Sequence, residues 1–150
     1  MSDRFFDVSA YPYAHRGLWG GARPENSIAA FEAARTAGVG VELDVRLTAD
    51  GVPVVFHDAG LERMCGHREL LARVESDELA GHQLPDGSPI PTLAQALAIM
   101  GDLPVLIELK VDGQAGPIAD RVAETIAGRS GHLGVMSFDE PTVARLCRLV

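Results

Sequence analysis

One stretch, VELDVRLTADGVPVVFHD from Val41 to Asp58, constrains the fold more than any other in the chain. It holds two short apolar runs joined by Ala49-Asp50-Gly51, turn residues whose glycine is free to take a positive φ. A strand has a side-chain period of two, so Glu42 and Asp44 leave one face while Val41, Leu43 and Val45 leave the other. The apolar set is suited to pack under helices, which turns the two acids toward a barrel interior or the crevice at the strand ends. Two carboxylates side by side in a partly dry site stay ionised only beside a cation, and a divalent metal ion meets that need. A solvated strand face shows the same alternation, so the rest of the chain has to decide. The second run, VPVVFHD, reads as a strand that delivers His57 at its carboxyl end, the edge where α/β proteins build active sites.

The remaining chain alternates strands and helices. Tyr11 to Gly17 reads as a short strand ending at His15, Arg16 and Gly17. Asn26 or Ser27 can cap a helix that runs to Gly38, with Ile28, Phe31 and Ala34 or Arg35 on one stripe. The strand through Glu42 follows at once, which makes the opening unit βαβ. Residues 59–90, rich in glycine and proline, read as an irregular excursion over the active-site edge with one short helix at Ser76 to Leu79. Thr92 caps the next helix, TLAQALAIM, and PVLIELK from Pro104 to Lys110 is a strand on which Glu108 and Lys110 share a face. A helix from Ala115 to Arg129, a strand from Leu133 to Phe138 and a helix from Glu140 complete the order. The pattern is that of a parallel α/β fold with about five βα units in one domain of 150 residues. A closed (β/α)8 barrel uses eight such units and about 250 residues, so the expectation is a truncated or incomplete TIM barrel.

Composition narrows the function classes. With a net charge of −8, a basic surface for nucleic acid is not expected, and an anionic substrate must be attracted locally. No apolar run approaches the ~20 residues of a membrane helix, and the N-terminus lacks a signal-peptide core, which together suggest a cytoplasmic protein. Cys65 and Cys147 have neither zinc spacing nor disulfide density and are expected as free, buried or half-buried thiols. His67, His82 and His132 lie in glycine-rich stretches and are expected at the surface.

The order AHRG (14–17), PENS (24–27), ELDVRLTADGVPVVFHD (42–58), IPTL (90–93) and IELK (107–110) resembles the glycerophosphodiester phosphodiesterase family. The resemblance covers Tyr13 to about Phe138. Ser27 stands where the family usually has Thr, and Met64-Cys65 where a Thr is common. By position, the resemblance implies that Glu42, Asp44 and Glu108 hold a divalent metal, magnesium or calcium, an oxygen-only set suited to hard cations. It implies His15 and His57 as general acid and general base, in either order, and Arg16 and Lys110 as cations beside the substrate phosphate. It further implies a small-molecule glycerophosphodiester as substrate, with an internal glycerol hydroxyl attacking phosphorus and water opening the resulting cyclic phosphate. Arg16 can instead pair with Glu25 or Glu42, Lys110 with Glu108, and Trp19 can either cover the pocket or simply pack. An open sheet exposes edges at its first and fifth strands, which suggests a homo-oligomer. A non-catalytic module that binds metal or phosphate, or serves as an assembly partner, is the competing reading.

Overall fold

The computed structural model describes residues 7–112, 116–129 and 131–150. Its frame is a sheet in which β1 (Tyr13–His15), β2 (Gly40–Leu47), β4 (Val105–Leu109) and β5 (Leu133–Met136) run parallel in that order. Helices α1 (Ile28–Ala37), α3 (Leu93–Met100), α4 (Gly116–Ile126) and α5 (Glu140–Leu146) connect or follow these strands. Ser27 caps α1 by accepting from the Ala30 amide, and Thr92 and Gln95 form a reciprocal capping box at the start of α3. The first six residues of the expected lead-in, and Ala115 at the expected start of α4, lie outside the described residues.

The two-residue period sorts β2 and β4 as expected. Val41, Leu43, Val45, Val105, Ile107 and Leu109 enter one core with Phe31 and Ala34 of α1, the apolar face of α3 and Val122 of α4. Glu42, Asp44 and Glu108 are left on the opposite face, and all three are buried there as well.

One strand departs from the parallel pattern. β3 (Pro53–Val55) pairs antiparallel with β2, Val45 opposite Val55 and Leu47 opposite Pro53. The reason is chain length: the turn at Thr48–Val52 closes through the Gly51 amide on the Thr48 carbonyl, and only a long crossover could return the chain parallel. β3 is also shorter than VPVVFHD, and His57 lies two residues beyond its end. Because β4 pairs with residues 41–45 on one edge of β2, β1 and β3 share the other edge, β1 opposite residues 40–42 and β3 opposite residues 45–47. The two strands therefore approach each other end to end along β2.

The 59–90 segment is more ordered than a bare loop. It contains the one-turn helix α2 (Glu62–Cys65), and its 3-10 turns fall at Leu71–Arg73 and Glu78–Gly81 instead of an α-helix at Ser76–Leu79. Leu61, Leu71, Val74, Leu79, Leu84 and Ile90 bury against Val54 and Phe56 to form a second small core. His82 is buried in it, contrary to the surface placement expected, because its Nε2 meets the Glu69 carboxylate at 2.8 Å. Both cysteines are free; Cys65 is half-buried and Cys147 is exposed rather than buried.

Candidate active site

The site begins with two backbone reversals. Arg16 and Asn26 both take left-handed φ, 59° and 55°, where non-glycine residues are uncommon. They are tied together, since the Asn26 amide donates to the Arg16 carbonyl while the Arg16 amide donates to the Glu42 carbonyl at 2.9 Å and to Glu42 Oε2 at 3.2 Å. Gly17 follows with φ 82°, and a Cβ there would lie 2.8 Å from the Ala30 Cβ. Only glycine lets the chain leave β1 this close to α1. The outcome is that His15 and Arg16 are held beside Glu42.

On the floor of the site, one oxygen from each of Glu42, Asp44 and Glu108 lies within 4.8 Å of the others. Lys110 Nζ is 2.5 Å from Glu108 Oε1 and 3.2 Å from Asp44 Oδ1, while Arg16 Nε is 3.3 Å from Asp44 Oδ2 and its Nη1 is 3.0 Å from Glu25 Oε1. Arg16 thus pairs with Glu25 and Asp44, and Lys110 with Glu108 and Asp44. Asn26, which Ser27 relieves of the capping role, donates from Nδ2 to Asp44 Oδ2 at 2.9 Å. Glu42 Oε1 is buried without a hydrogen bond, and Asp44 Oδ1, also without one, has only the Lys110 ammonium at 3.2 Å. Burial, then the neighbouring Asp44 charge, pushes the Glu42 carboxyl up to about 7. A buried, like-charged oxygen set in which Glu42 Oε1 has no partner fits a hard divalent cation, so the residues present suit the metal that the resemblance implies.

The two histidines stand at the rim. His15 Nε2 lies 3.8 Å from Glu42 Oε2, and the Trp19 indole, half exposed and outside the core, donates to the His15 carbonyl. His57 Nδ1 lies 2.7 Å from Asp58 Oδ1. Arg63, reaching from α2, donates to both Asp58 oxygens and to Glu25 Oε1 at 2.6 Å. The Arg63 hydrogen bond, more than the bond from His57, holds Asp58 down to about 2 against the opposing effect of burial. At Glu25 burial is the largest single influence and acts upward, yet the hydrogen bonds and charges of Arg63 and Arg16 outweigh it, leaving the net value lowered. Since Asp58 is ionised and can only accept, His57 carries its proton on Nδ1 and leaves Nε2 without one in the neutral ring.

The structure gives partners to residues that the sequence places without assigning a role. Asp58 and Arg63 appear in the HD-x-x-L-x-R run, but nothing local shows that Arg63 spans 38 positions to Glu25. Arg46 follows Glu42 and Asp44 on the same inward face; the two-residue period would have found it. Among the described residues, a cavity of about 430 Å³ lined by Arg46, Glu108, Lys110, Ser137 and Phe138 borders the floor, and one of about 650 Å³ lined by Trp19, Glu25, Arg63, Met64 and Asp86 lies on the side of Glu25 and Arg63.

The Glycerophosphoryl diester phosphodiesterase family profile matches residues 15–137, from the first rim histidine to just beyond β5. The chain belongs to this family. It is 33% identical over 138 residues to a probable glycerophosphodiester phosphodiesterase 2 of Mycobacterium tuberculosis, covering 91% of this chain and 52% of that protein. It is 36% identical over 117 residues to the bovine glycerophosphodiester phosphodiesterase 1, covering 71% of this chain and 35% of the relative. Among solved structures, an Oleispira antarctica phosphodiesterase in complex with the product sn-glycerol-3-phosphate superposes with a TM-score of 0.84 at 31% identity, over 94% of this chain and 63% of that one. A Thermotoga maritima glycerophosphodiester phosphodiesterase superposes with a TM-score of 0.73 at 36% identity, over 87% and 55%. The fold is therefore part of a TIM barrel, as expected, and the chain spans about half or less of the curated relatives it matches. Among the described residues no helix is long and apolar enough to cross a membrane.

Proposed function

We propose that this chain carries the metal-dependent active site of a phosphodiesterase that hydrolyses glycerophosphodiesters to glycerol 3-phosphate and an alcohol. The observation that carries the reading is the convergence of Glu42, Asp44 and Glu108 to within 4.8 Å, with Arg16 and Lys110 beside them and His15 at 3.8 Å from Glu42. Family membership supports it, as does the product held by the Oleispira relative.

Glu42, Asp44 and Glu108 would hold magnesium or calcium, whose charge offsets that of the phosphodiester anion. Arg16 and Lys110 supply further positive charge to a substrate that the protein's net charge of −8 would otherwise repel. One imidazole takes the proton from the glycerol hydroxyl next to the phosphate as that oxygen attacks phosphorus. The other imidazole gives a proton to the departing alkoxide. Their roles then reverse, a water proton being taken as the cyclic phosphate opens. Asp58 holds the His57 ring in one orientation during these transfers through the 2.7 Å contact with Nδ1. β1 and β5 are the outer strands of the sheet among the described residues, and their edges would allow pairing between copies of the chain.

The test is release of glycerol 3-phosphate from glycerophosphocholine by the purified chain with magnesium or calcium, then with chelator, beside Glu42→Gln. Chelator-sensitive release that Glu42→Gln abolishes is the expected result. A folded chain that binds magnesium or calcium yet releases no product would overturn the catalytic reading in favour of a binding module.

A further inference from the structure

His57 stands beyond the last residue of β3, so the sheet ladder does not fix it; the final sheet-like bond on that side runs from the Phe56 amide to the Asp44 carbonyl at 3.0 Å. Something else has to set the height of the histidine above the carboxylates. Arg46 occupies the next inward position of β2 after Asp44 and is nine-tenths buried. Its Nε donates to the His57 carbonyl at 2.7 Å, and its Nη1 pairs with Asp112, three residues beyond the strand that carries Glu108.

We propose that Arg46 is a positioning residue for His57: its guanidinium fork ties the histidine backbone to the two strands that carry the carboxylates. The geometry of the fork explains why arginine suits the position. Nε and Nη1 diverge in one rigid plane, so a single side chain bonds a carbonyl on one side and a carboxylate on the other. A lysine ammonium keeps the charge but is a compact point donor on a flexible stem, and it does not reproduce two fixed directions. Arg46 thereby transmits the position of β2 and β4 to a histidine whose own strand ends too early to hold it. A displacement of about 1 Å between catalytic groups is enough to lower a rate by roughly a hundredfold. The inference rests on His57 taking part in the phosphodiester hydrolysis proposed above.

The experiment compares the wild-type chain with Arg46→Lys and Asp112→Asn, measuring kcat and KM for glycerophosphocholine together with the imidazole 15N signals of His57 by NMR. Arg46→Lys is expected to lower kcat by roughly 10- to 100-fold with KM changed less than about threefold, and to shift or broaden the His57 signals. Asp112→Asn, which loosens only the far end of the fork, is expected to act in the same direction by roughly three- to tenfold. Unchanged kcat with unchanged His57 signals overturns the proposal, and so does a raised KM at constant kcat, which would put Arg46 against the substrate. Should Arg46→Lys fail to fold, the Asp112→Asn readouts decide by the same criteria. A wild-type chain without turnover refutes the phosphodiesterase reading alone; the NMR comparison then still decides whether Arg46 holds His57.

Discussion

The two rim histidines reach the site from opposite directions and are held by different means. His15 ends a parallel strand, opposite Glu42, and its side chain is 69% exposed with a carboxylate 3.8 Å away. His57 follows an antiparallel strand, and its side chain is only 32% exposed, with the ring bonded to Asp58 and the carbonyl bonded to Arg46. The first is placed by strand pairing and the tight turn at Gly17, and the second by charged side chains. Placement through charged side chains costs more to build, yet it also fixes the ring tautomer, which strand pairing alone does not do.

The largest effects should come from removing either ring. His15→Ala and His57→Ala are each expected to lower kcat for glycerophosphocholine by roughly 10²- to 10⁴-fold. Retained activity in one of them would show that the site works with a single histidine.

A smaller change should separate the two. Asp58→Asn removes the anion that fixes the His57 tautomer and is expected to cost roughly 10- to 100-fold in kcat, whereas Trp19→Phe, which removes only a donor to the His15 carbonyl, should cost less than about threefold. Equal losses would erase the distinction between a ring held by charge and one held by its backbone.

The carboxylate floor beside His15 gives a pH test. The Glu42 carboxyl titrates at about 7 in the folded chain against an ordinary value of 4.5. The unfolded chain therefore loses this proton first, so the contribution of Glu42 to stability is full below about 4.5 and is lost as pH rises through about 7, by roughly 3 kcal/mol at most. Melting temperatures in chelator should follow that fall, while magnesium or calcium should raise the melting temperature more at pH 8 than at pH 5. A metal-induced shift that is the same at both pH values would count against Glu42 as a ligand.

Least of all should be the stability effect of Arg63→Ala. Arg63 is half exposed, so its pairs with Asp58 and Glu25 are screened by solvent, and thermal denaturation should show a loss of about 1 kcal/mol. A much larger loss would mean that α2 is needed to hold the second core.

Much of this protein follows from local pattern. The two-residue period put Glu42, Asp44 and Glu108 on one face and the aliphatics on the other, because a strand offers no other choice once one face must pack on helices. The helix cap at Thr92 was legible because a cap needs only a short polar side chain and the next turn, whereas the first cap was narrowed to Asn26 or Ser27 and the structure uses Ser27. The direction of β3 was not drawn from the strand pattern itself, since alternating apolar residues look alike in parallel and antiparallel strands; the brevity of the turn decided it. His82 was misplaced for a related reason, because a glycine-rich stretch does not reveal that Glu69 will meet it in a small core. What tertiary structure alone decided is the wiring of the rim: Arg46 to His57 and Asp112, and Arg63 to Asp58 and Glu25. These pairs span 11, 66, 5 and 38 positions. A charged side chain carries no periodicity that names its partner; its partner is whichever opposite charge or carbonyl the packed backbone leaves within reach and out of water.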